Sequence, residues 1–246
     1  MDLTDYSVIL TAYIMASAIK GLTGLGFSTS CLPVLALHFD LKIAIPLVLV
    51  PSIVSNITVI VQAGRFREAV SRFWPLYLAA VPGLLFGLAV LATINSDVAK
   101  AVLGLVLMIY ALWAMTNMTV SLPTKWERAL RVPIGFMTGI VNGMTGSQVM
   151  PVLPYLLSLN LEKNDFVQAI NISFTFSSLV MLLGLNQLGY LTATTFLIAL
   201  AGLVPVLLTL TVAGRLRRRL TTIVYRRLVL GLLLVMGMIL LLRNFL

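Results

Sequence analysis

Lys20 is the only ionisable residue inside an apolar run of this 246-residue sequence; the eight carboxylates and the other basic residues sit in loops or at the ends of runs. An ammonium in hydrocarbon costs roughly 2.5 to 3.5 kcal/mol on the mildest insertion scale, and no acidic residue within sequence reach could pair with it. A bound anion would supply the partner, and a proton leaving as that site empties would couple the two movements. The plainer reading is a lysine that snorkels from a shallow segment into a wet vestibule. Around it stand Gly21, Thr23, Gly24, Gly26 and Ser28, followed by Thr29 and Ser30. About 122 residues on, Asn142, Gly143, Thr145, Gly146, Ser147 and Gln148 form a second such group. Glycine lets a ligand approach the backbone, and hydroxyl and amide donors suit a tetrahedral oxyanion. Asn56, Asn171, Ser173, Ser177 and Ser178 lie in flanking apolar runs, where they either line a path or join helices. Tyr155 fits a ligand contact and a core position equally.

Other chemistry is thinly supplied. Eight acidic residues, one histidine and one cysteine leave no material for a protein-ligated metal, a carboxylate pair or a charge-relay triad, so neither metal, cofactor nor enzyme activity is expected. Lys20 with Ser17 is the one nucleophilic pairing to weigh against that. Cys31 can form no intrachain disulfide and reads as packed; His38, at an expected turn, reads as solvated.

Positioning such groups falls to membrane helices, since 60% of the residues are hydrophobic and 10% charged, far from soluble proportions. The fold class expected is an all-α polytopic membrane protein. Spans of about 20 residues fit 43–62, 73–94, 99–118, 166–185, 191–213 and 225–244. Segments 6–38 and 132–160 are too long for one straight span and too short for two. Each carries glycines near its middle, and each reads as a pair of half-length helices entering and leaving on one side, with protein or water around the break. The rival is a single interrupted helix that crosses. Opening residues Asp2 and Asp5 carry the wrong charge for a secretory signal, so the first helix is expected to remain.

Basic loops at 65–72, 125–131 and 215–227 should all be cytoplasmic. Only the hairpin reading puts all three inside, with both termini outside; a crossing 132–160 would force the arginine-richest loop out. Trp74, Tyr77, Tyr110, Trp113 and Tyr225 then fall at inner span ends, and Tyr6 and Tyr190 at outer ones. The run from Arg215 to Arg219 abuts spans and lacks interleaved aromatics, so it suits anionic lipid headgroups rather than nucleic acid.

The halves also align. Lys20 to Gly24 meets Asn142 to Gly146, Leu32 and Pro33 meet Leu153 and Pro154, and Lys42 meets Lys163; Pro82 resembles Pro205, and Gly104 resembles Gly231. Repeats at 1–120 and 121–246, each a hairpin plus three crossings, must lie upside down relative to each other. Secondary transporters use such inverted repeats, with the site where interrupted helices meet at mid-depth. Here the second half-helices should begin near Leu25 and Ser147, so that two electropositive N-termini face each other. Gly83, Gly87, Gly135 and Gly139 read instead as packing glycines.

The stretch Gly21 to Phe27 followed by Leu32 and Pro33, and Gly135, Gly139, Gly143 and Gly146 followed by the 151–156 run, resemble the paired glycine-rich signatures of the sulfite exporter TauE/SafE family. Where that family has consecutive glycines, this chain has Phe27 and Ser28, and Ser147 and Gln148. The resemblance implies a bacterial inner-membrane permease for sulfite, an organosulfonate or another small anion. A subunit of a multicomponent transporter and a passive anion channel are the alternatives, and a homodimer is a further partner the sequence allows.

Overall fold

The computed structural model describes residues 1–116, 121–216 and 222–242. These form an all-α protein with no strand among the described residues: α1 (Leu3–Thr23), α2 (Phe27–His38), α3 (Leu41–Ala63), α4 (Phe66–Thr93), α5 (Ser96–Met115), α6 (Thr124–Thr145), α7 (Val152–Ser158), α8 (Lys163–Gln187), α9 (Ala193–Ala201), α10 (Leu203–Leu216) and α11 (Thr222–Leu242). Six described stretches are long and apolar enough to cross a membrane: α1, α3, α4, α5, α8 and Ala193–Arg215. The outer surface carries Phe86, Leu183, Leu197, Val204 and Leu208 fully in the open, as a protein with lipid for a solvent requires. Arg217, Arg218 and Arg219, and the last residues of the spans expected at 99–118 and 225–244, lie outside the described residues.

Caps and left-handed glycines set the boundaries. Asp40 accepts the Lys42 N–H at 2.7 Å to start α3, and Asn95 accepts that of Asp97 at 3.1 Å to start α5. Gly24, Gly64 and Gly146 end α1, α3 and α6 at φ between 73 and 84°, a region in which a Cβ would be strained.

Both ambiguous segments fold back on themselves. His38, at the end of α2, lies 2.7 Å from the Asp5 carboxylate at the start of α1. The end of α7 returns to α6 through Leu122 N–H on Ser158 O at 2.9 Å and the Tyr155 hydroxyl on Glu127 O at 2.7 Å. They open at opposite ends of the bundle. One end holds Asp5, His38, Lys42 and Ser96, the last accepting the Leu41 N–H at 3.2 Å. The other holds Arg65, paired to Glu162 and Asp165, and Arg72 and Arg131, both paired to Glu127.

The arms are not the half-length pairs expected from the sequence. First arms α1 and α6 run 21 and 22 residues, and only α2 and α7 are short, at 12 and 7. Counting charges as loop misjudged α6, because Lys125, Glu127, Arg128 and Arg131 continue its helix at no cost in propensity. The stretch expected as one span at 191–213 is found as one crossing stretch, Ala193–Arg215, with a local irregularity at Gly202 between α9 and α10. Pro205 has no N–H for the Ala201 carbonyl four residues back, and the Tyr13 ring lies where a Gly202 Cβ would stand.

The long helices pack through small residues. Gly83 and Gly87 of α4 face Gly135, Gly139 and Gly143 of α6 so closely that a Cβ on any of the five would strike the partner backbone, which confirms packing for Gly83, Gly87, Gly135 and Gly139. Across the bundle, α1 meets α10 at Gly21, where a Cβ would come within 2.6 Å of Ala213 Cβ and 2.8 Å of Leu210 O.

Candidate functional site

The breaks after α1 and α6 are built alike. Gly24 donates its N–H to Lys20 O at 2.7 Å, and Gly146 to Asn142 O at 2.7 Å. The Thr23 hydroxyl reaches Ile19 O at 2.9 Å and accepts the Leu25 N–H at 3.1 Å. The Thr145 hydroxyl reaches Val141 O at 2.6 Å and accepts the Ser147 N–H at 3.1 Å. Both threonines, expected to face a ligand, are thus occupied in closing their own turns.

At the first break Lys20 is 2% exposed, with Nζ donating to Asn56 Oδ1 of α3. A cavity of about 560 Å³ reaches it, lined by Lys20, Gly21 and Gly24 together with Thr58, Gln62, Lys163, Asn164, Thr211 and Arg215. It opens at the end of the bundle where α3 stops, α8 starts and α10 stops, which is the arginine-rich end. Three cations line it and no carboxylate does. Lysine and arginine so arranged, with a low-dielectric wall, focus a positive potential that gathers anions. Depth along α1 accounts for the burial: Lys20 is not at the rim of a shallow hairpin but seventeen residues from the helix start, opposite Asn56.

Other expected site residues lie elsewhere. Gly26 is the left-handed residue that starts α2, at φ 90°, and the Ser28 hydroxyl donates to that of Ser52 at 2.7 Å. Gly143 is taken up in the seam with α4, where a Cβ would lie 2.8 Å from Gly87 Cα. Asn142, Ser147 and Gln148 are buried at the second break, and Gln148 Nε2 donates to Ser178 Oγ at 2.8 Å. Of the residues expected along a path, Asn56 holds Lys20, while Asn171 Nδ2 donates to Val167 O within its own helix at 2.8 Å. Ser177 is buried. Tyr155 is tied to Glu127 O and takes the core role.

The two breaks do not form one cage. Helix α3 serves as the ruler: a Cβ on Gly146 would touch Ile45 and Leu32, whereas Lys20 bonds Asn56. From Ile45 to Asn56 is eleven residues, about 16 Å of helix. First arms of full length carry each tip past the middle towards the far end. Nor do two helix N-termini face each other, since α7 starts only at Val152, after an irregular stretch that includes a cis peptide bond at Pro151.

Sequence reading missed Lys163, Asn164 and Arg215 as site residues because span-end charges were credited to topology alone. It missed Thr58 and Gln62, four apart on one face of α3, because neither carries charge. The i, i+4 spacing of those two polar residues after Asn56 was the available signal.

The family model described as Sulfite exporter TauE/SafE matches residues 9–240. Neither the curated proteins nor the solved structures give a match.

Proposed function

The chain belongs to the sulfite exporter TauE/SafE family of membrane permeases, and from that premise we propose that it is a secondary transporter that binds a sulfur oxyanion or an organosulfonate at Lys20. The observation that carries this reading is the cavity of about 560 Å³ with Lys20, Lys163 and Arg215 in its wall and no acidic residue among its lining. Lys163 and Arg215 near the mouth attract the anion, and Lys20, held by the neutral Asn56, exchanges that amide for the stronger charge-assisted bond. Thr58, Gln62 and Thr211 add neutral donors for the remaining oxygens. Room beyond a bare oxyanion, walled by Val59, Val167 and Leu210, suits a small organic tail.

Two inverted copies of one unit, 1–120 and 121–246, accommodate the cycle. Their breaks share one hydrogen-bond pattern, and their packing is reciprocal: α1 lies on α10 as α6 lies on α4, α3 on α9 and α10 as α8 on α4, while α3 with α8 and α5 with α11 pair across the centre. The protein sits in the bacterial inner membrane with its arginine-rich end in the cytoplasm and both termini outside.

The test is flux in liposomes holding the purified chain alone. Saturable sulfite or sulfonate movement is expected, with Lys20→Gln at least tenfold slower though its thermal unfolding is unchanged. Equal flux in Lys20→Gln overturns the site. No flux without a second protein favours the multicomponent reading, and flux that rises without saturating favours a channel.

A further inference from the structure

The last turns of α1 and α6 share their cap and threonine bonds, and one difference between their side chains is a difference of charge. Where α1 carries Lys20, α6 carries Asn142, four residues before the left-handed glycine in each. A helix C-terminus bears about half a negative charge. In α1 the ammonium of Lys20 lies in that last turn and offsets it; α6 has no basic residue there. The α6 terminus is also sealed, with Asn142 and Ser147 each 1% exposed and Gln148 4% exposed.

Oxygens collect at this sealed terminus without partners. Asn142 Oδ1, Ser147 Oγ and Gln148 Oε1 are buried and unbonded, as is Asn142 Nδ2. Helix α8 packs against α6 and anchors Gln148 through Ser178. Asn171, which has an unpartnered Oδ1 of its own, stands two turns earlier on α8, about 10 Å of helix from Ser178 and outside this group. All three oxygens at the terminus are neutral. No cluster of aspartate, glutamate, histidine or cysteine able to hold a metal exists among the described residues, so a divalent or transition metal has no suitable ligands. Neutral side-chain oxygens at the negative end of an interrupted helix are what a monovalent cation takes.

We propose that the second break binds an alkali metal cation, sodium in the first instance, at Asn142, Ser147 and Gln148, in the place that the ammonium of Lys20 holds at the first break. One repeat thus has a built-in cation and the other a borrowed one. The site goes beyond the anion reading and does not rest on it, because the cation alone is the probe.

The test uses the purified full-length chain in detergent, free of substrate anions. Thermal unfolding is followed in lithium, sodium, potassium and choline chlorides at one ionic strength. A saturable rise in Tm with an alkali cation over choline is expected. It should be lost in Gln148→Ala and Asn142→Ala, kept in Lys20→Gln, and replaced in Asn142→Lys by a Tm that no longer responds to the cation. Binding of radioactive sodium to the wild-type chain gives the same answer should Asn142→Ala fail to fold, with saturation and displacement by unlabelled sodium supporting the site. Equal Tm in all four salts together with no saturable sodium binding overturns the proposal, as does a cation response that survives unchanged in both Gln148→Ala and Asn142→Lys. Bound water alone would give that first result. Either failure leaves the Lys20 flux test untouched.

Discussion

A lysine bonded to an asparagine in a buried wall is a charge awaiting a better partner. Asn56 gives Lys20 its Oδ1 and keeps an unbonded, buried Nδ2, so the amide both parks the ammonium and leaves a donor beside it. Asn56→Asp converts the parked state into an ion pair that competes with any arriving anion. Anion flux in liposomes should fall at least tenfold, equivalent to about 1.4 kcal/mol, with the loss mainly in KM. Wild-type flux in that variant would mean that Lys20 does not meet the anion. The lysine itself was legible in the sequence because its isolation among apolar residues has no cheap structural explanation. Its companions were not: Lys163 and Arg215 look like any span-end charges until α8 and α10 are seen to converge on α3. Thr23 and Thr145 read as ligand donors from their place beside turn glycines, and in the structure each hydroxyl also accepts the N–H two residues on.

At the scale of helices, glycine does two unlike things. Gly139 lies in the seam with α4, and a Cβ there would strike Ala80 O and approach Leu84 N to 2.7 Å. Gly139→Ala should therefore destabilise the chain by about 1–3 kcal/mol through forced backbone movement. Gly231 in α11 has nothing within 4 Å of the same added atom and ordinary helical φ, so Gly231→Ala should be neutral or slightly stabilising. Unfolding in detergent compares the two directly, and a Gly139→Ala chain as stable as Gly231→Ala would refute the seam. Spacing in the sequence already pointed to the seam, because residues four apart share a helix face. Arm lengths and the irregularity at Gly202 were less accessible. Apolar runs mark where lipid begins rather than where a helix begins, and the notch at Gly202 depends on Tyr13, almost two hundred residues away.

Among the described residues of the whole molecule, a cavity reaches Lys20 from the arginine-rich end, while at the opposite end side chains close on one another. There Lys42, aligned with Lys163 in the duplication, donates to Ile94 O at 3.4 Å and lies 5.5 Å over the Tyr190 ring. Asp5 and His38 close the neighbouring hairpin. Cysteine labelling can follow the seal, because the sole native thiol, Cys31, is buried. Ser147→Cys should resist a membrane-impermeant reagent, and adding Tyr190→Ala should raise its reactivity several-fold from the end of the bundle that holds Lys42. Rapid labelling without the second change would show that this end is not sealed. The likeness of the two breaks was visible in the aligned residues, but which break a cavity reaches was not, since that depends on helices distant in sequence converging.

The two seams that flank the centre are unequal. Five glycines press α4 and α6 together backbone to backbone, whereas α1 and α10 meet at Gly21, Ala213 and Gly214, with the Tyr13 ring of α1 set against Gly202. A joint whose closest contacts are backbone has fewer rotamers to exchange and less freedom to repack than one that holds an aromatic ring. Any rocking should therefore fall on the wall that α1 shares with α10, with α4 and α6 moving as one piece.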